Sequence, residues 1–130
     1  MPKRLLAVTF VFVAAAASCG GNGTITIDGR TANDHGTAEV SGESTLEFEL
    51  DDFYFGPTVL RGEPGQMLAL EAFNEGGEAH TFTIAEEGID VVLEPERETT
   101  IEITFPDSGT VVFVCRFHSG QGMNGALEIA

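Results

Sequence analysis

Three side chains that bind soft metal ions lie within nine residues near the end of the chain. They are Cys115, His118 and Met123, in the spacing Cys-x2-His-x4-Met. A thiolate, imidazoles and a weak axial thioether are the ligand types of a blue-copper electron-transfer site, which needs one more histidine. His80 supplies it, directly after the glycine-containing segment 74–79. The four residues together predict a site for one copper ion that cycles between Cu(II) and Cu(I).

Each of these residue types also has an ordinary structural role. A single methionine most often fills a core, a single cysteine behaves as a small buried apolar residue, and a single histidine is more often structural than a ligand. Their combination favours a metal site, because it falls where a strand should end and a short loop begin. Gly120 and Gly122 would let that loop bend back on itself. Zinc is an alternative metal, but a thioether donor suits the softer copper better.

Three segments of the sequence resemble the plastocyanin- and azurin-type cupredoxins, a family of small blue copper proteins. Val114–Met123 is similar to their C-terminal copper loop, and Asn74–His80 is similar to the loop that carries their first histidine. Phe105–Thr110 is similar to the turn before their cysteine-bearing strand. The likeness covers residues 45–130. It implies a mononuclear copper protein that carries one electron and is not an enzyme.

The residues around the ligands depart from that family in part. Thr81 stands where plastocyanins carry an asparagine that links the two ligand loops, and its hydroxyl is a potential donor in that role. Arg116 and Phe117 replace a small residue and a proline. We expect Asn74, Thr81 and backbone N–H groups near Cys115 to tune the potential. His118 is expected at the solvent edge, where Phe117, Met123 and nearby glycines would form a small apolar docking patch.

The first 19 residues indicate export. Lys3 and Arg4 precede the 13-residue apolar run Leu5–Ala17, which is too short to cross a bilayer and predicts a signal peptide over residues 1–18. The sequence before and including Cys19 resembles a bacterial lipobox, which implies lipidation of Cys19 and anchoring at the cell envelope, on the periplasmic side or the outer face of the plasma membrane. Cleavage after Ala17 is the alternative. A Cys19–Cys115 disulfide is disfavoured, because both thiols have other predicted roles.

The strong negative charge restricts the partners. The formal net charge is −15, and loss of Lys3 and Arg4 with the signal peptide makes it −17. Nucleic-acid binding is excluded because it needs a basic patch. The acidity is compatible with simple solubility or with steering toward a cationic redox partner. We expect a monomer whose electron donor and acceptor are cytochrome- or oxidase-type redox proteins.

Two regions are predicted after the signal peptide. Residues 19–44 are rich in small polar and acidic residues and predict a flexible tether with a root-mean-square span of roughly 25–30 Å. Within it, Thr24–Ile27 is a possible isolated strand, and His35 is predicted to be a solvated linker residue. Residues 45–130 predict the folded, copper-binding domain.

The predicted domain is an all-β Greek-key sandwich of cupredoxin type, with about seven short strands. Apolar and polar residues alternate in its segments, turn residues separate them, and helical periodicity is missing. Thr110–Cys115 is nearly all apolar, which predicts a central strand covered on both faces. Seven phenylalanines are predicted to fill the core: Phe48, Phe53, Phe55, Phe73, Phe82, Phe105 and Phe113.

Three other functions were weighed against electron transfer. A copper oxidase or reductase needs a further copper site, commonly built from several histidines, and the chain has three histidines of which two are assigned. A carrier or store that delivers copper differs from an electron carrier in its Cu(I) exchange kinetics. A cupredoxin-like interaction module without a metal is disfavoured by the intact ligand set.

Overall fold

The computed structural model describes residues 23–130, and its long elements are all β-strands. These residues also contain two three-residue 3-10 helices, Ala85–Glu87 and Ser119–Gln121. No helix in this part of the chain is long and apolar enough to span a membrane. The predicted signal peptide 1–18 and Cys19 lie outside the described residues. The twelve strands within residues 23–130 are β1 (Thr24–Ile27), β2 (Arg30–Asn33), β3 (Thr37–Glu39), β4 (Thr45–Asp51), β5 (Tyr54–Gly56), β6 (Val59–Gly62), β7 (Met67–Asn74), β8 (His80–Ile84), β9 (Ile89–Leu93), β10 (Glu98–Thr104), β11 (Thr110–Val114) and β12 (Asn124–Ile129).

Ten of these strands form two sheets that enclose one core. The smaller sheet has the order β10-β7-β4-β5 and the larger has the order β3-β6-β12-β11-β8-β9, while β1 and β2 pair as a separate hairpin. Both sheets are mixed, because β4 runs parallel to β7 and β6 runs parallel to β3 and β12. This arrangement confirms the all-β class.

The number of strands exceeds the predicted seven for three reasons. The apolar residues up to Phe55 suggest one continuous strand, but the chain turns at Asp52 and Phe53, and Leu50 pairs with Phe55 in the hairpin β4–β5. Neither a glycine nor a proline marks this turn in the sequence. The short segment Val59–Gly62 forms a further strand, and three strands precede Thr45.

The composition of the core follows from the alternation of side chains between the two faces of each strand. In β7, Leu68 and Leu70 are buried while Met67 and Glu71 are exposed. Aromatic rings from both sheets meet edge to face, for example Phe55 and Phe113 with centroids 5.0 Å apart, and such pairs add about 0.5–1.5 kcal/mol beyond their burial. The phenylalanines predicted for the core are buried in five cases, and Phe53 and Phe73 are only partly buried.

The predicted tether is wrong for residues 23–44. Thr24–Ile27 is a strand, as considered, but β2 pairs with it and β3 joins the larger sheet beside β6. Ile27 and Ala32 of the hairpin are buried against Val59 and Ala126, so the hairpin covers the outer side of the larger sheet. The sequence does not indicate this packing, because the segment is mostly polar. A few apolar residues are enough to order a hairpin when one of its faces packs on an existing sheet.

His35 is likewise not a linker residue. Its ring is exposed but stacks on Tyr54, with centroids 3.3 Å apart, and its backbone N–H donates to Thr58 Oγ1 at 2.7 Å.

The prediction for Thr110–Cys115 is partly confirmed. β11 is central in the larger sheet, between β12 and β8. It is not covered on both faces, since Phe113 is its one buried residue. The longest runs of consecutive buried residues are in β8, over all five positions, and in β12, over Asn124–Leu127. The N-terminal hairpin explains the double coverage of β12, and both strands border the predicted metal site.

Candidate metal centre

The loop between β11 and β12 is closed by its own backbone. The Cys115 N–H donates to the Met123 carbonyl at 3.0 Å, and the Met123 N–H donates to the His118 carbonyl at 3.2 Å. Gly122 has φ +94°, a left-handed conformation that glycine adopts without steric cost. Gly120 has no positive φ, so of the two predicted bending residues only Gly122 has this role.

The loop before His80 is organised by one buried asparagine. The Asn74 side chain donates to the Glu78 and Leu93 carbonyls, each at 2.9 Å, and accepts a hydrogen bond from the Gly76 N–H at 2.8 Å. These contacts fold the loop over the first residue of β8, where His80 is fully buried. Asn74 therefore shapes the histidine loop rather than contacting the cysteine.

The structure brings the predicted ligands of the two loops together. His80 Nδ1 lies 4.0 Å from Cys115 Sγ, and the His80 and His118 rings are 5.2 Å apart between centroids. Cys115 is a free, buried thiol, and Met123 is fully buried in the same core cluster. Metal–nitrogen and metal–sulfur bonds of about 2.0 and 2.3 Å let one ion contact both His80 and Cys115. Two nitrogens and two sulfurs are the donors that copper favours.

His118 is near the site, but its ring nitrogens face other partners. Its Nδ1 lies 2.7 Å from Gln121 Oε1, and its Nε2 lies 3.2 Å from Glu78 Oε2. The side chain is 16 % exposed, which agrees with the predicted solvent edge. Phe53 packs on this ring at 4.6 Å, and Phe117 is half exposed beside it. Met123 is fully buried, so its prediction as part of the exposed docking patch is wrong. Binding of a metal by His118 Nδ1 requires that Gln121 releases this nitrogen.

Thr81 links the two ligand loops, although it replaces the family's asparagine. Its backbone N–H donates to Cys115 Sγ at 3.3 Å, and its hydroxyl accepts a hydrogen bond from the Arg116 N–H at 2.8 Å. Toward the cysteine loop the threonine hydroxyl thus acts as an acceptor, and its own proton is donated to Thr83 Oγ1 at 3.0 Å, because the Thr83 hydroxyl donates to Asp90. Arg116 also forms a bidentate pair with Asp90, at 2.9 and 3.0 Å.

The charge state of His80 suits metal binding. Burial lowers its pKa despite the opposing contact with Asp52, and the pKa of Asp52 is lowered by the Gly77 N–H and then by His80. At neutral pH the imidazole is therefore neutral and the carboxylate ionised. A neutral imidazole keeps one nitrogen lone pair available to a metal.

A separate acidic cluster contains none of the predicted ligands. Within residues 23–130, Glu49, Asp51 and Glu75 are the histidine, cysteine or carboxylate donors whose ligand atoms all lie within 4.8 Å of one another. The Tyr54 hydroxyl contacts Glu49 and Asp51 at 3.0 and 3.2 Å, and burial with the nearby Glu75 raises the pKa of Glu49. Hydrogen bonding to a tyrosine therefore explains why Glu49 and Asp51 are close together.

Sequence reasoning missed three polar residues that contact the predicted ligands: Asp52, Glu78 and Gln121. Gln121 lies inside the ligand loop, between His118 and Met123, and this position could have indicated a contact with a ligand. Asp52 is 28 residues before His80, and no local pattern connects them. Only the sheet topology brings the β4–β5 turn beside the start of β8.

Comparison with known proteins agrees with this fold. The family model of the cupredoxin-like domain matches residues 5–127. Halocyanin from Natronomonas pharaonis is 35 % identical over 81 residues, which are 59 % of this chain and 48 % of halocyanin. The chain thus spans about half the length of that relative.

Two solved structures share the fold at low sequence identity. The reduced auracyanin of Roseiflexus castenholzii is 19 % identical, with a TM-score of 0.55 over 68 % of this chain and 98 % of auracyanin. The metal-binding domain of the Streptococcus pneumoniae Cu(I)-exporting ATPase CopA is 15 % identical, with a TM-score of 0.61 over 74 % of this chain and 97 % of that domain. The match over nearly the whole sequence shows that this chain belongs to the cupredoxin-like domain family.

Proposed function

We propose that this protein binds one copper ion through His80, Cys115 and His118, with Met123 as the axial ligand, and carries single electrons between redox proteins. The observation that carries this proposal is the buried Cys115 thiol, 4.0 Å from His80 Nδ1 and hydrogen-bonded by the Thr81 N–H. Halocyanin and the blue copper protein auracyanin A are related to this chain in sequence or fold and support the proposal.

The chain's own residues supply what electron transfer needs. A copper ion held by these residues would supply the one-electron redox chemistry. Cys115 would hold it as the thiolate and would lose its thiol proton to do so. The Thr81 N–H hydrogen bond to Sγ stabilises charge on the sulfur and influences the potential. Burial of His80 and Met123 between two sheets limits their movement between redox states. His118, at the solvent edge, is the exit toward a partner, with Phe117 and Phe53 as the apolar docking patch.

A visible absorption spectrum of the copper-loaded protein tests the site. We expect an intense thiolate-to-Cu(II) band that ascorbate bleaches and that Cys115→Ser abolishes. His35→Ala is the matched control, because this histidine stacks on Tyr54 and should change neither colour nor copper content. A Cys115→Ser variant that stays blue would contradict the ligand assignment.

Delivery of copper is the second candidate, and the geometry of His118 favours it. This ligand is partly exposed and its nitrogens contact Gln121 and Glu78, which offers a path for exchange of the ion. A related fold occurs in the CopA metal-binding domain, which was solved with Cu(I). Competition with a Cu(I) chelator separates the two functions. Release within seconds supports delivery, and retention over hours supports electron transfer.

The proposed redox partners are inferred from the net charge of the protein. With a net charge of −15 for the whole chain and −17 without Lys3 and Arg4, we propose docking to cationic cytochrome- or oxidase-type proteins as a monomer, rather than catalysis by this chain. Stopped-flow reduction with a cationic cytochrome should slow as salt rises, because exposed charges are screened within about 8–10 Å. A rate independent of salt would assign the acidity to solubility alone.

The location is proposed from the N-terminal sequence. Lipidation of Cys19 would hold the protein at the cell envelope, since two acyl chains suffice for stable anchoring. The wild-type protein should partition into detergent with membranes, and Cys19→Ala should become soluble or remain unprocessed. A wild-type protein that stays in the aqueous phase would favour cleavage after Ala17.

A further inference from the structure

An acidic side chain from the β4–β5 turn reaches the buried ring of His80. Asp52 Oδ1 lies 2.8 Å from His80 Nε2, on the side of the ring opposite the nitrogen that faces Cys115. An ionised carboxylate can only accept a hydrogen bond, so Nε2 carries the proton and Nδ1 presents its lone pair toward Cys115. The contact therefore selects one tautomer of this histidine.

The surrounding loop is built to hold this carboxylate. The Gly77 N–H donates to Asp52 Oδ2 at 2.9 Å, which fixes the second oxygen. A Cβ on Gly76 would collide with Asp52 Oδ1 and would stand 2.8 Å from His80 Nε2. Residue 76 must therefore be glycine for the carboxylate and the ring to meet. The glycine pair before His80 has a structural purpose that its sequence position does not reveal.

We propose that Asp52 is a positioning residue that fixes the tautomer and orientation of His80 and places a negative charge behind this metal ligand. The inference rests on the proposed copper site and deepens it. A carboxylate hydrogen-bonded to a ligating histidine raises the basicity of the ligand and favours the more highly charged metal state. Asp52 is 31 % exposed on its side chain, so water reaches it, but the bond to the buried His80 is direct.

Two variants separate the charge from the hydrogen bond. Asp52→Asn keeps an oxygen acceptor and removes the charge, and we expect the ratio of Cu(II) to Cu(I) affinity to fall about tenfold. For a one-electron couple this corresponds to a rise in potential of about 59 mV. Asp52→Ala removes the acceptor, and ¹⁵N shifts of His80 in the metal-free protein should then show loss of the single Nε2–H tautomer.

Glu75→Gln is the matched control, because it removes one charge from the loop before His80, and Glu75 forms none of the hydrogen bonds of the His80 side chain. A shift in Asp52→Asn no larger than in this control would overturn the proposed charge effect. An unchanged His80 tautomer in Asp52→Ala would overturn the positioning role. Circular dichroism confirms that both variants fold. The tautomer measurement needs no copper, so a failure of the protein to bind copper would refute the proposed function and leave this inference independently tested.

Discussion

The hydrogen bonds of Asn33 connect the N-terminal hairpin to the metal loop, and their removal is the sharpest test of this architecture. The Asn33 side-chain amide donates to the Phe53 carbonyl at 2.8 Å and to the Gln121 carbonyl at 2.9 Å, while its backbone N–H donates to the Gly122 carbonyl at 2.9 Å. Asn33→Ala removes the two side-chain bonds and retains the backbone bond. The variant thus removes the side-chain link between the hairpin and the metal loop, and it leaves the backbone hydrogen bonds of β2 in place.

The expected cost follows from those two bonds. Each contributes about 1 kcal/mol net, so the free energy of unfolding should fall by about 2 kcal/mol. For a domain of this size, that is a loss in Tm on the order of 10 °C. Urea or thermal unfolding of the metal-free protein measures it. We also expect faster loss of copper from the loaded variant, because the loop that carries His118 and Met123 is less constrained.

Thr31→Ala provides the control on the same hairpin, since Thr31 is exposed on β2. If Asn33→Ala unfolds within about 0.5 kcal/mol of this control, the side-chain bonds do not brace the loop. That result would support the prediction that residues before Thr45 contribute little to the stability of the domain.

The remaining predictions concern the axial ligand, the single tyrosine and one tightly packed glycine. Met123→Gln should lower and Met123→Leu should raise the reduction potential with copper retained, and voltammetry giving equal values would show that Met123 is not axial. Burial, followed by the neighbouring Glu49, raises the pKa of Tyr54. Because the folded pKa is raised, this stabilisation is present below the unfolded pKa of about 10 and is lost as pH rises above it. An ultraviolet titration of the folded protein should show the Tyr54 phenol ionising at a higher pH than an unperturbed tyrosine, and ionisation near pH 10 would contradict the burial argument. Gly125→Ala should destabilise by about 1–3 kcal/mol or more, because its Cβ would collide with the Phe113 ring, whereas Gly120→Ala has open space and should leave the Tm unchanged.

The sequence was informative where residue type and short spacing carry the signal. The all-β class and most of the phenylalanine core could be predicted from alternation and turn residues, since Phe53 and Phe73 alone of the seven are not fully buried. The proximity of the cysteine loop and the histidine loop followed from ligand types, and the 4.0 Å between Cys115 Sγ and His80 Nδ1 agrees with it. The ligation itself stays a prediction that the spectrum tests.

The missed features depend on long-range pairing. The contact of Asp52 with His80 arises where turns of two sheets meet, and the bonds of Asn33 join residues 88 positions apart. Local composition predicted a flexible tether for residues 23–44, because polar residues outnumber apolar ones there. Burial of Ile27 and Ala32 was enough to order the hairpin once the larger sheet offered a surface.

The N-terminal hairpin also changes how a membrane-held protein would be oriented. Its first residue, Gly23, accepts a hydrogen bond from the Asp34 N–H, directly beside the Asn33 that contacts the metal loop. From Cys19 to Gly23 the chain spans at most about 14 Å when fully extended, instead of the 25–30 Å of a long tether. A lipid on Cys19 would therefore keep the metal-loop end next to the bilayer. Partners embedded in the membrane would then contact that end of the protein in a fixed orientation. The two proteins would find each other by lateral diffusion in the plane of the membrane.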